Sequence, residues 1–142
     1  MWKRFIAAAA SVIALIVISI ASASPASAAT CWGDWCSGTD PQATGCSADA
    51  TTFSWRYLPG TNYTVELRWS PTCKTQWTRI SSGGFGAGDT VKAVQRDTGY
   101  TMSGIVGDNG VYKWTRQIYS PRLCVYSYWY KVNWGAAQTE CV

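Results

Sequence analysis

Six cysteines constrain this chain more than any other residue type. All of them follow a segment with the layout of a cleavable export signal; they are Cys31, Cys36, Cys46, Cys73, Cys124 and Cys141. An even cysteine count in an exported protein indicates disulfide bonds. The chain also has no histidine, the commonest metal ligand and the side chain that most readily exchanges protons near neutral pH. We therefore expect a disulfide-braced domain and predict neither a metal site nor a cofactor.

Residues 1–29 are predicted to be a signal peptide. Two basic residues precede an uncharged apolar run of 15 residues at 6–20, and small residues follow. The run is shorter than the about 20 residues that a membrane span needs. Cleavage is expected after Ala28 or Ala29, and an uncleaved anchor is the alternative. We predict a secreted, extracellular protein without a membrane span after cleavage, and a single domain over 30–142.

The mature composition is weakly charged and rich in aromatic residues. Cleavage after Ala29 leaves 113 residues with a net charge of about +2, which is too small and too scattered to indicate nucleic-acid binding. Eighteen aromatic residues remain. Since each ring can bury about 150–250 Å², a few already supply the core of a small domain. We therefore expect some rings to be exposed.

Alternating hydrophobic residues predict several antiparallel strands. The clearest case is 63–69, where apolar and polar residues alternate with the period of a half-buried strand. Residues 90–96 and 123–134 read as further strands. Asn109-Gly110 predicts a hairpin, because both residues tolerate the positive φ of a tight turn.

Two proline signals favour short helices. Asp40-Pro41 and Ser70-Pro71 each combine a capping residue with a proline suited to a first helical position, which predicts helices over 47–54 and 72–80. The expected fold class is therefore α+β: a mainly antiparallel, curled sheet or small barrel with one or two short N-terminal helices, braced by disulfides.

The order and spacing of several motifs resemble a known family. The motifs are Cys36-Ser37-Gly38-Thr39-Asp40-Pro41, Thr44-Gly45-Cys46-Ser47-Ala48-Asp49-Ala50, Val65-Glu66-Leu67-Arg68-Trp69-Ser70-Pro71-Thr72-Cys73 and Trp77-Thr78-Arg79-Ile80, with a looser echo from Trp114-Thr115-Arg116 to Cys124. They resemble the DUF2690 family of small exported proteins of Gram-positive bacteria, mainly actinobacteria, whose function is uncharacterised. The resemblance implies export and a bacterial source. It implies no activity and transfers no catalytic residues.

The cysteines are predicted to be structural. A thiolate metal cluster and a redox pair are the alternatives, but an oxidising exterior disfavours free thiolates and there is no Cys-x-x-Cys motif. Six cysteines allow 15 pairings. Nearest-neighbour pairing, a guess, joins Cys31 to Cys36, Cys46 to Cys73 and Cys124 to Cys141.

An enzyme is not predicted. Without histidine, acid–base catalysis would need a titratable group such as a paired carboxylate, and none of the eight acidic residues has a catalytic motif around it. Asp34 and Asp49 could converge in space, so a small hydrolase is the remaining enzymatic alternative.

The aromatic surplus is the best candidate for a binding surface. The rings singled out are Trp32, Trp35, Tyr126, Tyr128, Tyr130 and Trp134. Exposed rings can stack on sugars or anchor a protein partner, whereas the alternative is that they form the core or cross-strand pairs. The dispersed arginines are expected to lie on a solvated face with salt bridges. We therefore expect a secreted, non-enzymatic binding module at or near the cell envelope. Its partner would be a cell-wall glycan or an extracellular protein, and the alternative function is a secreted inhibitor or toxin-like effector.

Overall fold

A computed structural model describes residues 28–81 and 85–142, without the side chain of Asp108. Residues 1–27, which hold most of the predicted signal peptide, lie outside the described part. The described residues form one 3-10 helix (Gly33–Cys36) and the strands β1 (Thr51–Tyr57), β2 (Thr64–Ser70), β3 (Thr75–Ser81), β4 (Thr90–Gln95), β5 (Thr101–Ser103), β6 (Gly107–Asp108), β7 (Tyr112–Trp114), β8 (Ile118–Tyr119), β9 (Val125–Lys131) and β10 (Gly135–Gln138). Within these ranges, no helix is long and apolar enough to cross a membrane.

The strands form two antiparallel sheets. Sheet A has the order β1-β2-β3-β7-β6, with β8 pairing to the other end of β3. Sheet B has the order β10-β9-β4-β5. The sheets face each other, since β9 of sheet B contacts both β2 and β3 of sheet A. The result is a two-layer sandwich.

Two hydrophobic clusters and a polar bridge fill the space between the sheets. One cluster centres on Trp129, Ile80 and neighbouring aliphatic side chains, and the other contains Leu67 and Val125. Along β3 and β9, Thr78 and Ser127 occupy the inward position between residues of these clusters. Both side chains are fully buried, and their hydroxyl oxygens lie 2.8 Å apart. The two sheets are thus linked by hydrogen bonding as well as by apolar contact.

The predicted α+β class is wrong. The segment expected to be a helix at 47–54 runs from turns into β1, and the segment expected at 72–80 becomes the end of a turn and β3. In the described residues neither a curled single sheet nor a closed barrel forms, because the strands divide into two open sheets. β-branched and aromatic residues dominate Thr51–Tyr57 and Thr75–Ser81, and they favour strands over helices.

The two proline signals cap turns instead of helices. The carboxylate of Asp40 accepts the backbone N–H of Gln42 at 2.9 Å. The hydroxyl of Ser70 accepts the N–H of Cys73 at 3.2 Å inside the four-residue turn that joins β2 to β3. These short-range bonds satisfy the same donors at a turn as at a helix start, so the local signal does not separate the two.

The disulfides tie the N-terminal segment to the sandwich. The bonds are Cys31–Cys36, Cys46–Cys73 and Cys124–Cys141, which is the nearest-neighbour pairing. Cys46–Cys73 anchors the N-terminal turns to the β2–β3 connection. Cys124–Cys141 joins the start of β9 to the chain beyond β10.

Candidate functional site

Three tyrosines of β9 line the outer face of sheet B. Burial alternates along this strand: Val125, Ser127 and Trp129 are buried, whereas Tyr126 and Tyr128 are half-buried and Tyr130 is 40% exposed. Side chains two residues apart on a strand lie about 6.8 Å apart on the same face. The sequence predicted one core face and one surface face here, and the structure assigns the tyrosines to the surface. We call Tyr126, Tyr128 and Tyr130 the tyrosine face.

The neighbours of the tyrosine face are mostly small or polar. Opposite Tyr128 lie Lys92 of β4 and Gln138 of β10, and opposite Tyr130 lie Thr90 and Ala136. The described elements in substantial contact with β9 are its sheet neighbours β4 and β10 and, across the core, β2 and β3. No other described strand or helix packs in substantial contact on this outer face.

The tyrosine hydroxyls are free to bind a ligand. Among residues 28–81 and 85–142, none of the three hydroxyl groups has a hydrogen-bond partner. Each phenol can both donate and accept a hydrogen bond, and each ring face can stack on an apolar surface. The tyrosine face thus offers aromatic area and unused polar groups side by side.

Trp32 and Trp35 form a second exposed aromatic patch. Trp32 directly precedes the 3-10 helix and is 76% exposed, whereas Trp35 lies within it and is 88% exposed. The helix packs against β8 of sheet A, and Cys31–Cys36 closes the loop that carries both indoles. The two tryptophans line a shallow depression of about 470 Å³. The structure places this patch on a different element from the tyrosine face.

Trp134 lies in its own cleft beyond the end of β9. It is 50% exposed and lines a depression of about 330 Å³ with Tyr63, Lys131 and residues 60–62. The six aromatic residues proposed from the sequence therefore stand on three different parts of the structure: the strand β9, the 3-10 helix with the residue before it, and the turn after β9.

Asp89 organises the turn that carries Trp134. Its carboxylate is 3% exposed and accepts the backbone N–H groups of Val132 at 3.0 Å and Gly86 at 2.9 Å, with Lys131 Nζ at 3.5 Å. Burial raises the pKa of Asp89, but these hydrogen bonds and the lysine charge outweigh it and hold the pKa below its ordinary value of 3.8. The carboxylate is thus a fixed anchor for the turn.

The sequence analysis missed three exposed aromatic residues on β1. Phe53, Trp55 and Tyr57 are each about half exposed on this edge strand. Phe53 stacks on Trp69 with ring centroids 5.7 Å apart, and Trp55 contacts Tyr57 edge to face at 5.0 Å. The signal was the alternation of aromatic and polar residues over 51–57, which the predicted helix over 47–54 obscured.

A cleft lined by two arginines lies on the outer face of sheet A. Its lining residues are Gln42, Ser47, Arg68, Trp77, Arg79 and Trp114, and its volume is about 130 Å³. Register explains the convergence, because Arg68 pairs with Trp77 across β2 and β3, and Arg79 pairs with Trp114 across β3 and β7. Gln42 and Ser47 come from the N-terminal turns. We call these six residues the arginine cleft.

The two arginines are held differently. Arg79 donates two hydrogen bonds, from Nε at 3.0 Å and Nη2 at 2.6 Å, to one carboxylate oxygen of Glu66, and its guanidinium lies over the ring of Tyr112 at 4.2 Å. Salt bridges were expected for the dispersed arginines in general, and this is one of them. Arg68 donates instead to Thr52 Oγ1 at 2.6 Å and to the carbonyl oxygen of Ala50 at 2.5 Å.

Arg68 has no counter-ion in the described part of the chain, where no carboxylate oxygen lies within 4 Å of its guanidinium. Burial lowers the pKa of Arg68, and the neighbouring charge of Arg79 lowers it further, while Glu66 acts in the opposite direction. A further carboxylate, that of Asp40, accepts hydrogen bonds from the lining residues Gln42 and Trp114, but it forms no ion pair with Arg68. A half-buried cation is normally paired, so an Arg68 without an ion pair in the described residues is unusual for a purely structural surface.

Four of the six cysteines form one cluster. The sulfur atoms of Cys31, Cys36, Cys46 and Cys73 all lie within 4.8 Å of one another, which is close enough for a shared metal ion. Metal ligation requires thiolates, however, and here the four sulfurs are bonded in two disulfides. The cluster therefore acts as a covalent anchor for the N-terminal turns.

These features define a class of protein: a small disulfide-bonded β-sandwich domain with aromatic rings outside its core and an arginine that forms no ion pair within the described residues. The sequence matches the family described as protein of unknown function (DUF2690) over residues 34–124, which is more than half of its length. The chain therefore belongs to the DUF2690 family, as the motifs predicted. No curated protein and no solved structure matches it.

Proposed function

We propose that this protein is a secreted, non-enzymatic binding module that acts at or near the cell envelope and binds a cell-wall glycan through the tyrosine face. The observation that carries the proposal is the open outer face of sheet B, with three rings whose hydroxyls make no hydrogen bond within the described residues. A sugar ring presents apolar C–H groups on its faces and hydroxyls on its rim. Stacked phenol rings satisfy the first, while Lys92 and Gln138 beside Tyr128 can bond the second.

The covalent and electrostatic features agree with this role. Three disulfides suit an extracellular protein, where they resist reduction. A rigid sheet also presents its side chains at little cost in conformational entropy on binding. The proposal of secretion rests additionally on the signal-like segment at 1–29.

The surroundings of Asp49 give no support to its use as a general acid. Asp49, one of the two carboxylates considered for catalysis, accepts the Ser70 hydroxyl at 2.7 Å and the N–H of Thr72 at 2.9 Å. Burial raises the pKa of Asp49, but these hydrogen bonds outweigh it and the net shift is downward. A carboxyl with a lowered pKa is a poor general acid at neutral pH. Asp34 is exposed and accepts the Ser37 hydroxyl at 3.3 Å.

Retention on purified peptidoglycan, together with a glycan array, tests the glycan proposal. The disulfide-bonded mature protein is expected to sediment with insoluble peptidoglycan and to bind at least one class of saccharide on the array. Retention that a competing soluble fragment of the same glycan reverses would support the tyrosine face as a sugar platform. No retention on either material would contradict glycan binding.

A second candidate function, an extracellular inhibitor or toxin-like effector, is favoured by Trp32 and Trp35. Two exposed indoles on a disulfide-closed loop suit a protein interface, where tryptophan is enriched among the residues that contribute most to affinity. Co-purification from culture supernatant separates the two functions. An inhibitor would bring a stoichiometric protein that is lost in the Trp32→Ala/Trp35→Ala variant, whereas a wall binder would not.

A further inference from the structure

We propose that the arginine cleft binds a single oxyanion group, a carboxylate or a phosphate, carried by a ligand of this protein. The site lies on sheet A and is independent of the tyrosine face on sheet B. The first argument is charge. Glu66 compensates Arg79, but Arg68 is half-buried beside it and has no carboxylate within 4 Å in the described residues. An oxyanion placed between the two guanidinium groups would give Arg68 the direct ion pair that it lacks.

The second argument is the supply of donors. Arg79 uses Nε and Nη2 for Glu66, and Arg68 uses Nη1 and Nη2 for Thr52 and Ala50. Among the described residues, Arg79 Nη1 and Arg68 Nε have no partner. Both belong to the planar, always charged group that binds carboxylates and phosphates best. Both arginines line the cleft, and each keeps at least one N–H group without a partner in the described residues.

The third argument is preorganisation. Glu66 fixes Arg79 from one side and the ring of Tyr112 stacks on it, while Thr52 and Ala50 fix Arg68. Neither guanidinium therefore loses much freedom when an anion binds, so more of the interaction energy appears as affinity.

The walls of the cleft limit what fits. Trp77 and Trp114 are both almost fully buried, and the indole N–H of Trp114 donates to Asp40 at 2.9 Å. Asp40 holds this ring but does not line the cleft. A volume of about 130 Å³ accommodates one small oxyanion group and not a folded polymer segment. The ligand would insert a terminal or side group between the tryptophans.

The cleft is built from distant parts of the chain. Five of its six lining residues belong to the segments that carry the resemblance to DUF2690, namely Ser47, Arg68, Trp77, Arg79 and Trp114. The two Trp-Thr-Arg tripeptides, at 77–79 and 114–116, each contribute their tryptophan. Segments far apart in sequence thus meet at one charged space.

NMR titration of the isotopically labelled, disulfide-intact protein tests the proposal. The probes are acetate and inorganic phosphate, each compared with chloride at the same ionic strength, and the readout is the indole N–H signals of Trp77 and Trp114. We expect a saturable shift with at least one oxyanion and none with chloride. The arm that saturates identifies the group as carboxylate or phosphate. Shifts that are linear and equal in all three salts would overturn the proposal.

Variants of Arg68 localise the effect. Arg68→Gln should abolish saturable binding, and Arg68→Lys, which keeps the charge but loses the planar fork, should weaken it by about tenfold or more. Arg122→Gln, at an exposed arginine outside the cleft, is the matched control and should bind like the parent. Unchanged saturable binding in Arg68→Gln would refute the assignment. If Arg68→Gln does not fold, the titrations of the wild-type protein and of Arg68→Lys still decide the question.

Discussion

The buried hydroxyl pair of Thr78 and Ser127 offers a quantitative test of the two-sheet fold. Thr78 Oγ1 lies 2.6 Å from the carbonyl oxygen of Lys92 in sheet B, and Ser127 Oγ lies 2.9 Å from the carbonyl oxygen of Glu66 in sheet A. The two hydroxyl oxygens are 2.8 Å apart. Each side chain therefore contacts a backbone carbonyl of the opposite sheet. The two hydroxyl protons are shared among the three oxygen–oxygen contacts.

Removing either hydroxyl should cost a measurable part of the stability. In Thr78→Val, Ser127 still bonds the carbonyl of Glu66, but the carbonyl of Lys92 loses its side-chain partner. A lost buried hydrogen bond costs about 0.5–1.5 kcal/mol, and a buried group left without a partner about 1–3 kcal/mol. We expect a loss of about 1–2 kcal/mol in the free energy of unfolding for Thr78→Val and a similar loss for Ser127→Ala.

Urea denaturation of the disulfide-intact variants, followed by tryptophan fluorescence, measures these losses. The slope with urea should stay constant, because the surface exposed on unfolding hardly changes. Thr51→Val, at an exposed threonine of β1, is the matched control and should change stability by less than about 0.5 kcal/mol. The double variant should show a coupling of about 0.5 kcal/mol or more. Losses no larger than that of the control in both single variants would refute the buried bridge between the sheets.

Three further predictions follow from single contacts. Replacing Cys46 and Cys73 together by serine opens a loop of 27 residues and should cost about 3–4 kcal/mol, measured by urea denaturation against the disulfide-intact parent. The pKa of Asp89 is lower in the folded than in the unfolded protein, so the ionised carboxylate stabilises the fold above the unfolded pKa, and this stabilisation is lost as pH falls through the folded pKa. The free energy of unfolding should therefore drop below pH 3.8. Asp89→Asn should flatten that drop in acid unfolding followed by circular dichroism. Equal acid profiles would contradict this role. In Gly107→Ala, the new Cβ would collide with the ring of Trp114, so near-ultraviolet circular dichroism should change; an unchanged spectrum would contradict the contact.

Local patterns predicted the strands better than the architecture. The alternation over 63–69 identified β2, and 90–96 closely matches β4. The predicted hairpin does form, between β6 and β7, and the Asn109 side chain accepts the N–H groups of Val111 at 3.0 Å and Tyr112 at 2.6 Å. Of Asn109 and Gly110, only Gly110 has a positive φ. These features depend on neighbouring residues alone, and therefore they are visible in the sequence.

The helices and the arginine cleft show where sequence reasoning ends. Ser70-Pro71 has the same local bonding at a turn as at a helix start, and only the pairing of β3 with β2 decides between them. Arg68 and Arg79 were expected on a solvated face with salt bridges; Arg79 does pair with Glu66, but the pair is largely buried. The missing counter-ion of Arg68 depends on the packing of three strands and the N-terminal turns, and no local pattern encodes it.

The most direct test of the binding-module account is an equilibrium isotherm on insoluble peptidoglycan for variants of Tyr126, Tyr128 and Tyr130. Replacing all three by alanine removes the ring faces and should weaken binding by about tenfold or more, since losing about 1.4 kcal/mol of contact energy already has that effect. The triple phenylalanine variant keeps the rings, loses the hydroxyls and should bind with intermediate affinity. The Trp32→Ala/Trp35→Ala variant should bind like the parent. Equal affinity of the alanine variant and the parent would contradict the central claim.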